Sequence, residues 1–139
     1  MKFQADKLIQ VVHAIDAKNH TATVSSATID TRGFDECLVI LNKGTAGTTA
    51  SGTAFVMESD STTAASFAHI SGSSFTAVTP TAATKASEIV SIDLRGKKRY
   101  LRVKYSTATA NAIYVAADVI LLAYKTPPVS ASATLKARV

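Results

Sequence analysis

Apolar and polar residues alternate along the segment from residue 99 to residue 105. Leu101, Val103 and Tyr105 occupy one set of alternate positions, and Arg102 and Lys104 lie between them. Because side chains of a β-strand project alternately to its two faces, this pattern predicts a strand with one buried face. Similar short apolar segments recur along the chain with loops between them, which predicts an all-β fold, either a sandwich or a jelly roll.

The predicted strands are short and closely spaced. They cover residues 36–42, 53–59, 75–78, 88–93, 99–105 and 113–124. The last of them is apolar almost throughout, which indicates burial on both faces and a central place in a sheet. Residues 6–26 are ambiguous. Their apolar spacing allows a helix, but the β-branched residues and a turn at 17–19 favour a hairpin of residues 8–16 and 20–26.

One phrase, Ile-Asp-x-Arg-Gly, occurs twice, at residues 29–33 and 92–96. Each copy is interpreted as a strand end, a polar corner and a following strand. In this alignment of the two copies, Leu38 of the first occupies the position of Leu101 in the second. Glycine can adopt a positive φ in such a corner. The carboxylate can accept backbone N–H groups across the corner, and the arginine two residues later can brace it. We therefore assign a structural rather than catalytic role to Asp30, Arg32, Gly33, Asp93, Arg95 and Gly96.

Length and composition limit the organisation of the chain. Its 139 residues suit one domain, which we predict to span residues 1–128, with residues 1–20 as an N-terminal hairpin or arm. After Pro127 and Pro128, the Ser/Ala-rich residues 129–139 are expected to form a C-terminal arm. The single cysteine, Cys37, excludes an internal disulfide and lies in an apolar strand, where we expect it to be buried.

The sequence contains no motif typical of catalysis or of cofactor binding. His13, His20 and His69 lack the spacing of metal ligands, and no phosphate-binding loop or nucleophile elbow is present. We therefore expect no enzyme activity, no cofactor and no metal. We expect no signal peptide, because the apolar run after residues 1–7 is too short and contains His13. We also expect no membrane-spanning segment, because the longest apolar run, residues 112–123, is too short to cross a bilayer and contains Asp118.

The net charge is +5, and basic residues are concentrated in residues 95–104, which we call the basic segment. A solvated surface, a nucleic-acid site and a contact to an acidic protein are three possible interpretations of this segment, and we favour the last. The C-terminal arm is either idle or adds as a strand to a partner's sheet edge. The predicted contact residues are therefore Arg95, Lys97, Lys98, Arg99, Arg102 and Lys104 in the basic segment, and Leu135, Lys136 and Arg138 in the arm.

Several phrases, in a consistent order, resemble one family. They are residues 30–35 with 38–42, residues 56–60, residues 67–72 with Phe75, and residues 92–102. Over about residues 21–124 the chain resembles the head cement, or decoration, proteins encoded beside the major capsid protein in many tailed bacteriophages. It departs from that pattern in a longer segment at residues 7–16 and in the tail after Pro128.

The resemblance implies a jelly-roll-like structural protein of the virion. Such a protein binds the outer surface of the capsid after synthesis in the host cytoplasm, and cements adjacent subunits of the major capsid protein against internal DNA pressure. A homo-oligomer, with a dimer favoured, is the expected form, and direct nucleic-acid binding is not expected. The alternatives are a nucleic-acid-binding module or a carbohydrate-binding sandwich, which would need exposed aromatic residues from the set Tyr100, Tyr105, Tyr114 and Tyr124.

Overall fold

The computed structural model describes residues 9–46, 49–78, 86–108, 112–123 and 135–138. Within these ranges nearly all regular structure is β-strand, apart from a short 3-10 turn at Ala64–Ser66. The strands are β1 (Ile9–His20), β2 (Val24–Ser25), β3 (Ile29–Asp30), β4 (Glu36–Ala46), β5 (Gly52–Ser59), β6 (Ala68–His69), β7 (Ala86–Asp93), β8 (Tyr100–Thr107), β9 (Ile113–Leu122) and β10 (Leu135–Arg138).

The strands form two sheets. Sheet A has the order β1-β9-β4-β7-β10, and sheet B has the order β2-β8-β5-β6, with β3 also paired to β8. All described pairs are antiparallel except β7 with β10, which run parallel. The predicted all-β class is confirmed.

The antiparallel pairs are nested along the chain. The short strand β6 pairs with β5, β7 pairs with β4, β8 pairs with β2 and β3, and β9 pairs with β1. The nested ribbon is then closed on itself by two further pairs, β4 with β9 and β5 with β8. A long antiparallel ribbon wound in this way is a jelly-roll-like sandwich, as the sequence predicts.

The core lies between the two sheets and is built from one set of alternate side chains on each long strand. On β8, Leu101, Val103 and Tyr105 are almost fully buried, whereas Tyr100, Arg102 and Lys104 face outwards, as the alternation predicts. The strand β9 lies between β1 and β4, so its predicted central position is also confirmed. Cys37 is buried and free, and burial raises the pKa of its thiol to about 12.

The hairpin predicted near the N-terminus is wrong for the described residues, and so is the helix. Residues 17–19 do not turn, because Ile9–His20 is one strand that follows β9 through irregularities in register between His13 and Lys18. Each irregularity shifts the alternation of side chains, which imitates a helical spacing in the sequence. Residues 75–78 also differ from expectation: they run beside β5 and bond to it at Ala54 and Gly52, but they are not a regular strand.

The two corners lie side by side, where the chain crosses between the sheets. The backbone N–H of Leu94 donates to the carbonyl of Asp35 over 2.9 Å, and the N–H of Thr31 donates to the carbonyl of Arg99 over 3.0 Å. Gly33 and Gly96 have φ of +89° and +80°, as predicted. One equivalence is wrong: Ile29 faces Leu101 and Ile92 faces Cys37, so the residue that corresponds to Leu101 is Cys37 and not Leu38.

Candidate protein-binding surfaces

The corner aspartates make the predicted hydrogen bonds, with one exchange of partners. Asp93 accepts hydrogen bonds from the backbone N–H of Arg95 over 3.0 Å and from its guanidinium Nε over 2.9 Å, as the sequence suggests. Asp30 accepts the backbone N–H of Arg32 over 3.1 Å, but the guanidinium that braces it belongs to Arg99. Arg32 is therefore not the brace of the first corner, because the adjoining corner brings Arg99 to the same carboxylate.

Three of the six predicted contact residues in the basic segment lie beside carboxylates of the protein itself. Arg95 pairs with Asp93 at 2.6 Å and Arg99 pairs with Asp30 at 2.8 Å. The ammonium of Lys98 lies 3.7 Å from a carboxylate oxygen of Asp60. These charges hold the corners and the neighbouring loop in place, so their density in the sequence overstates the positive charge available to a partner.

The contacts of Arg102 and Lys104 in the described residues are neutral groups and not carboxylates. The guanidinium of Arg102 donates to the hydroxyl of Thr28 over 3.0 and 2.8 Å, and its Cζ lies 4.7 Å from the centre of the Phe67 ring. The ammonium of Lys104 lies 5.9 Å from the centre of the Phe55 ring. Both cations thus face outwards from sheet B over aromatic rings.

The outward side chains around these two cations form what we call the aromatic–cation face. Cross-strand pairing places Phe55 opposite Lys104 and Met57 opposite Arg102. The ring of His69 on β6 packs edge-on against Phe55 with a centroid distance of 4.8 Å. The face consists of Phe55, Met57, Phe67, His69, Arg102 and Lys104. Its aromatic members were not predicted from the sequence, although Phe55 and Met57 alternate with buried residues along β5.

The three tyrosines in the described ranges do not form a stacking platform. Tyr105 is in the core, and the Tyr100 ring has the guanidinium of Arg99 5.0 Å from its centre. Tyr114 is exposed, but its hydroxyl donates to the carbonyl of Ala17 over 3.0 Å and lies on the other sheet. Tyr124 lies outside the described residues. The arrangement therefore gives no support to the carbohydrate alternative.

The outer surface of sheet A is more apolar than an outward sheet surface usually is. Val11 is 65% exposed and Ile9 is 39% exposed, and they stand opposite Ile120 and Leu122 on β9. The same surface continues over β4 and β7 with half-buried side chains. We call this surface the apolar face, and it consists of Ile9, Val11, Leu38, Ile40, Ile89, Ile120 and Leu122. Large exposed apolar patches on a folded domain mark sites of protein interaction.

The apolar face is most open at its β1 end. Further towards β7, two outward polar residues are buried, Glu36 on β4 and Ser91 on β7. The hydroxyl of Ser91 donates a hydrogen bond to the carboxylate of Glu36. Beside the open end, His13 lies between two carboxylates, 2.8 Å from Asp118 and 3.2 Å from Asp16. Hydrogen bonding to Asp118, opposed by partial desolvation and helped by Asp16, raises the pKa of His13.

The described part of the C-terminal arm pairs with the chain's own sheet. β10 lies parallel to β7 at the edge of sheet A, with Leu135 beside Ile89 and Arg138 beside Ser91. The predicted contact residues Leu135, Lys136 and Arg138 are therefore on this edge strand. Strand addition by the arm occurs here within one chain, and its addition to a partner stays a prediction.

A groove of about 380 Å³ opens at the sandwich edge between β1 and the first corner. Its polar wall includes Asp30, whose carboxylate is already held by Arg99, beside the apolar side chains of Val12 and Phe34. Within the described ranges, no group of three or more His, Cys, Asp and Glu side chains is arranged to hold a metal. No helix in those ranges is long and apolar enough to span a membrane.

Comparisons with known proteins give no family assignment. No protein-family model and no curated protein matches the chain. Among solved structures, the SPBc2 prophage-derived protein YomS is similar with a TM-score of 0.45 and 9% identity, over 84% of this chain and 96% of YomS. The coat protein of Tobacco streak virus is similar with a TM-score of 0.42 and 12% identity, over 97% of this chain and 98% of that protein. Both TM-scores are below 0.5, so neither similarity carries an argument about function.

Proposed function

We propose that this protein is a structural component of a bacteriophage virion that binds the outer surface of the capsid and cements adjacent subunits of the major capsid protein. The identity of the partner rests on the resemblance of the sequence to head cement proteins. The observation that carries a binding role is the apolar face of sheet A, where Val11 and Ile9 are open to solvent beside Ile120 and Leu122.

An outward apolar surface of this kind suits a protein that works in contact with other proteins. The outward positions of an antiparallel sheet that faces water are usually polar. Here, aliphatic side chains occupy outward positions on neighbouring strands, and covering them with a partner would remove apolar area from water. A capsid subunit is the partner that we infer.

The proposed mechanism is mechanical and needs neither catalysis nor a cofactor. Each copy buries an interface on the order of 1,000–2,000 Å² against the shell. Because one copy touches more than one capsid subunit, separating the subunits requires several contacts to break together. The rigid jelly roll sets the distance between the contacts, and a dimer over a symmetry axis would double the number of attachment points.

Co-sedimentation with capsids that lack the protein tests this function. The wild-type protein is expected to pellet with the capsids and to appear as regular density on their outer surface. Val11→Asp places a charge in the apolar face and should abolish pelleting, whereas Thr62→Asp adds the same charge on the exposed loop after β5 and should pellet normally. Wild-type protein that stays in the supernatant would exclude capsid attachment.

A second measurement tests cementing separately from attachment. Heads with and without the protein are heated, and the release of DNA is followed. Heads that carry the protein should release DNA at a higher temperature, because the shell then opens only when the added contacts break. Equal release temperatures would leave attachment without a cementing role.

A further inference from the structure

Arg102 and Lys104 occupy consecutive outward positions on β8 and are the centre of the aromatic–cation face. Outward positions on one strand repeat at about 7 Å. Met57 and Phe55 on β5 are their cross-strand neighbours. The two side chains therefore start from positions about 7 Å apart on a sheet rather than on a loop.

These two cations differ from the other basic residues of the same segment in what balances their charge. Arg95, Lys98 and Arg99 each lie beside a carboxylate. Among the described residues, the contacts of Arg102 are the Thr28 hydroxyl and the Phe67 ring, and the contact of Lys104 is the Phe55 ring. None of these groups carries a negative charge. Both cations can therefore pair with a partner's carboxylate without breaking an ion pair to the described residues.

We propose that the aromatic–cation face binds an acidic, extended segment of a partner protein, with carboxylates at alternate positions pairing with Arg102 and Lys104. The inference rests on the proposed function in taking that partner to be a capsid subunit. An extended segment presents every second side chain to the same side at about 7 Å, which matches the spacing of the two strand positions that carry Arg102 and Lys104. Met57 and Phe55 then contact the aliphatic parts of the bound segment.

A protein segment fits this face better than a nucleic acid does. Sequence-independent binding of single-stranded nucleic acid needs open aromatic faces on which bases stack. The rings of Tyr100, Phe67 and Phe55 already have a cation at 5.0, 4.7 and 5.9 Å from their centres. A base could stack on them only by displacing these cations, which a carboxylate does not have to do.

The aromatic–cation face and the apolar face allow one chain to hold two capsid subunits at once. The aromatic–cation face and the apolar face are on the outer surfaces of opposite sheets of the sandwich. One chain can thus hold one subunit through an apolar contact and a second subunit through a charged contact. Salt weakens the charged contact and leaves the apolar one nearly unchanged, because screening acts on exposed ion pairs.

Fluorescence anisotropy with a labelled peptide that carries glutamate at alternate positions tests the proposal without any capsid. We expect the wild-type protein to bind this peptide, to ignore the same peptide with glutamine in place of glutamate, and to bind more weakly as salt is added. Lys104→Gln and Arg102→Gln should each weaken binding by about tenfold. Lys18→Gln removes an exposed cation from sheet A and should leave binding unchanged.

Arg102 also donates hydrogen bonds to Thr28, so thermal unfolding is used to check that Arg102→Gln is folded. If it is not, the peptide affinity of Lys104→Gln decides whether this face binds carboxylates. Equal binding by wild-type and Lys104→Gln protein would overturn the proposal, as would equal affinity for an oligothymidine strand. Failure of the wild-type protein to pellet with capsids would instead remove the proposed function. The peptide measurement would still decide whether this face takes carboxylates.

Discussion

Arg99 holds Asp30 through two parallel hydrogen bonds, from Nε to Oδ1 over 3.0 Å and from Nη2 to Oδ2 over 2.8 Å. Asp30 lies in the first corner and Arg99 lies between the second corner and β8, so the pair clamps the two crossings between the sheets to each other. The planar guanidinium matches the two carboxylate oxygens, a geometry that lysine could not reproduce.

The clamp predicts a specific pattern of stability in variants. Asp30→Asn and Arg99→Gln should each lower the melting temperature by a few degrees, and the double variant should be hardly less stable than the worse single variant, because both remove the same contact. Asp93→Ala should lower it independently, since Asp93 stabilises its own corner through Arg95. Fully additive losses for Asp30→Asn and Arg99→Gln would show that the pair is not coupled.

Asp30 should make the protein sensitive to strong acid. Bonding to Arg99, together with the Arg32 backbone N–H, lowers the pKa of Asp30 from 3.8 to about 2. Because the folded pKa is the lower one, the stabilisation is complete above pH 3.8 and is lost as the pH falls towards 2. Chemical denaturation between these limits should show a smaller loss of stability in Asp30→Asn than in the wild type. Parallel pH profiles would contradict the assignment.

His13 should respond to pH in the opposite direction. Its two ring nitrogens face the carboxylates of Asp118 and Asp16, and both can donate only when the ring is protonated. The pKa of His13 is raised above 6.5, so its stabilisation is complete below pH 6.5 and is lost as the pH rises through the folded pKa. An NMR titration should place the His13 transition above 6.5, and Asp118→Asn should move it down. A transition at or below 6.5 would refute the pairing.

Tyr105 carries a buried hydroxyl with no hydrogen-bond partner among the described groups. Tyr105→Phe should therefore raise stability, by about 1 kcal/mol, because it removes an unpaired polar group and keeps the ring. Gly52→Ala should lower stability, since a Cβ there would overlap that hydroxyl and stand 2.9 Å from the carbonyl oxygen of Ser106. Urea denaturation measures both, and a destabilised Tyr105→Phe would mean that the hydroxyl is bonded.

The candidate surfaces could be predicted only in part. Alternation along β8 correctly places Arg102 and Lys104 on an outward face. It does not distinguish these two cations from Arg95 and Arg99, which are paired with carboxylates. Which cations have carboxylate partners depends on loops and strands that are distant in sequence, such as Asp60 beside Lys98. The apolar face was missed as well, because an apolar run such as Ile120 to Leu122 is equally compatible with a strand that is buried on both sides.

The sequence by itself determined the β-class, the inward-facing side chains of β8, and the two corners with their positive-φ glycines. These features depend on the local geometry of the backbone, in which side chains alternate and only glycine adopts a positive φ without strain. The tertiary structure alone decided that Ile9–His20 is one strand, that Cys37 is the counterpart of Leu101, and that Arg99 rather than Arg32 holds Asp30. Those outcomes depend on the nested pairing of distant strands, because long-range register brings together residues whose separation along the chain carries no periodic signal.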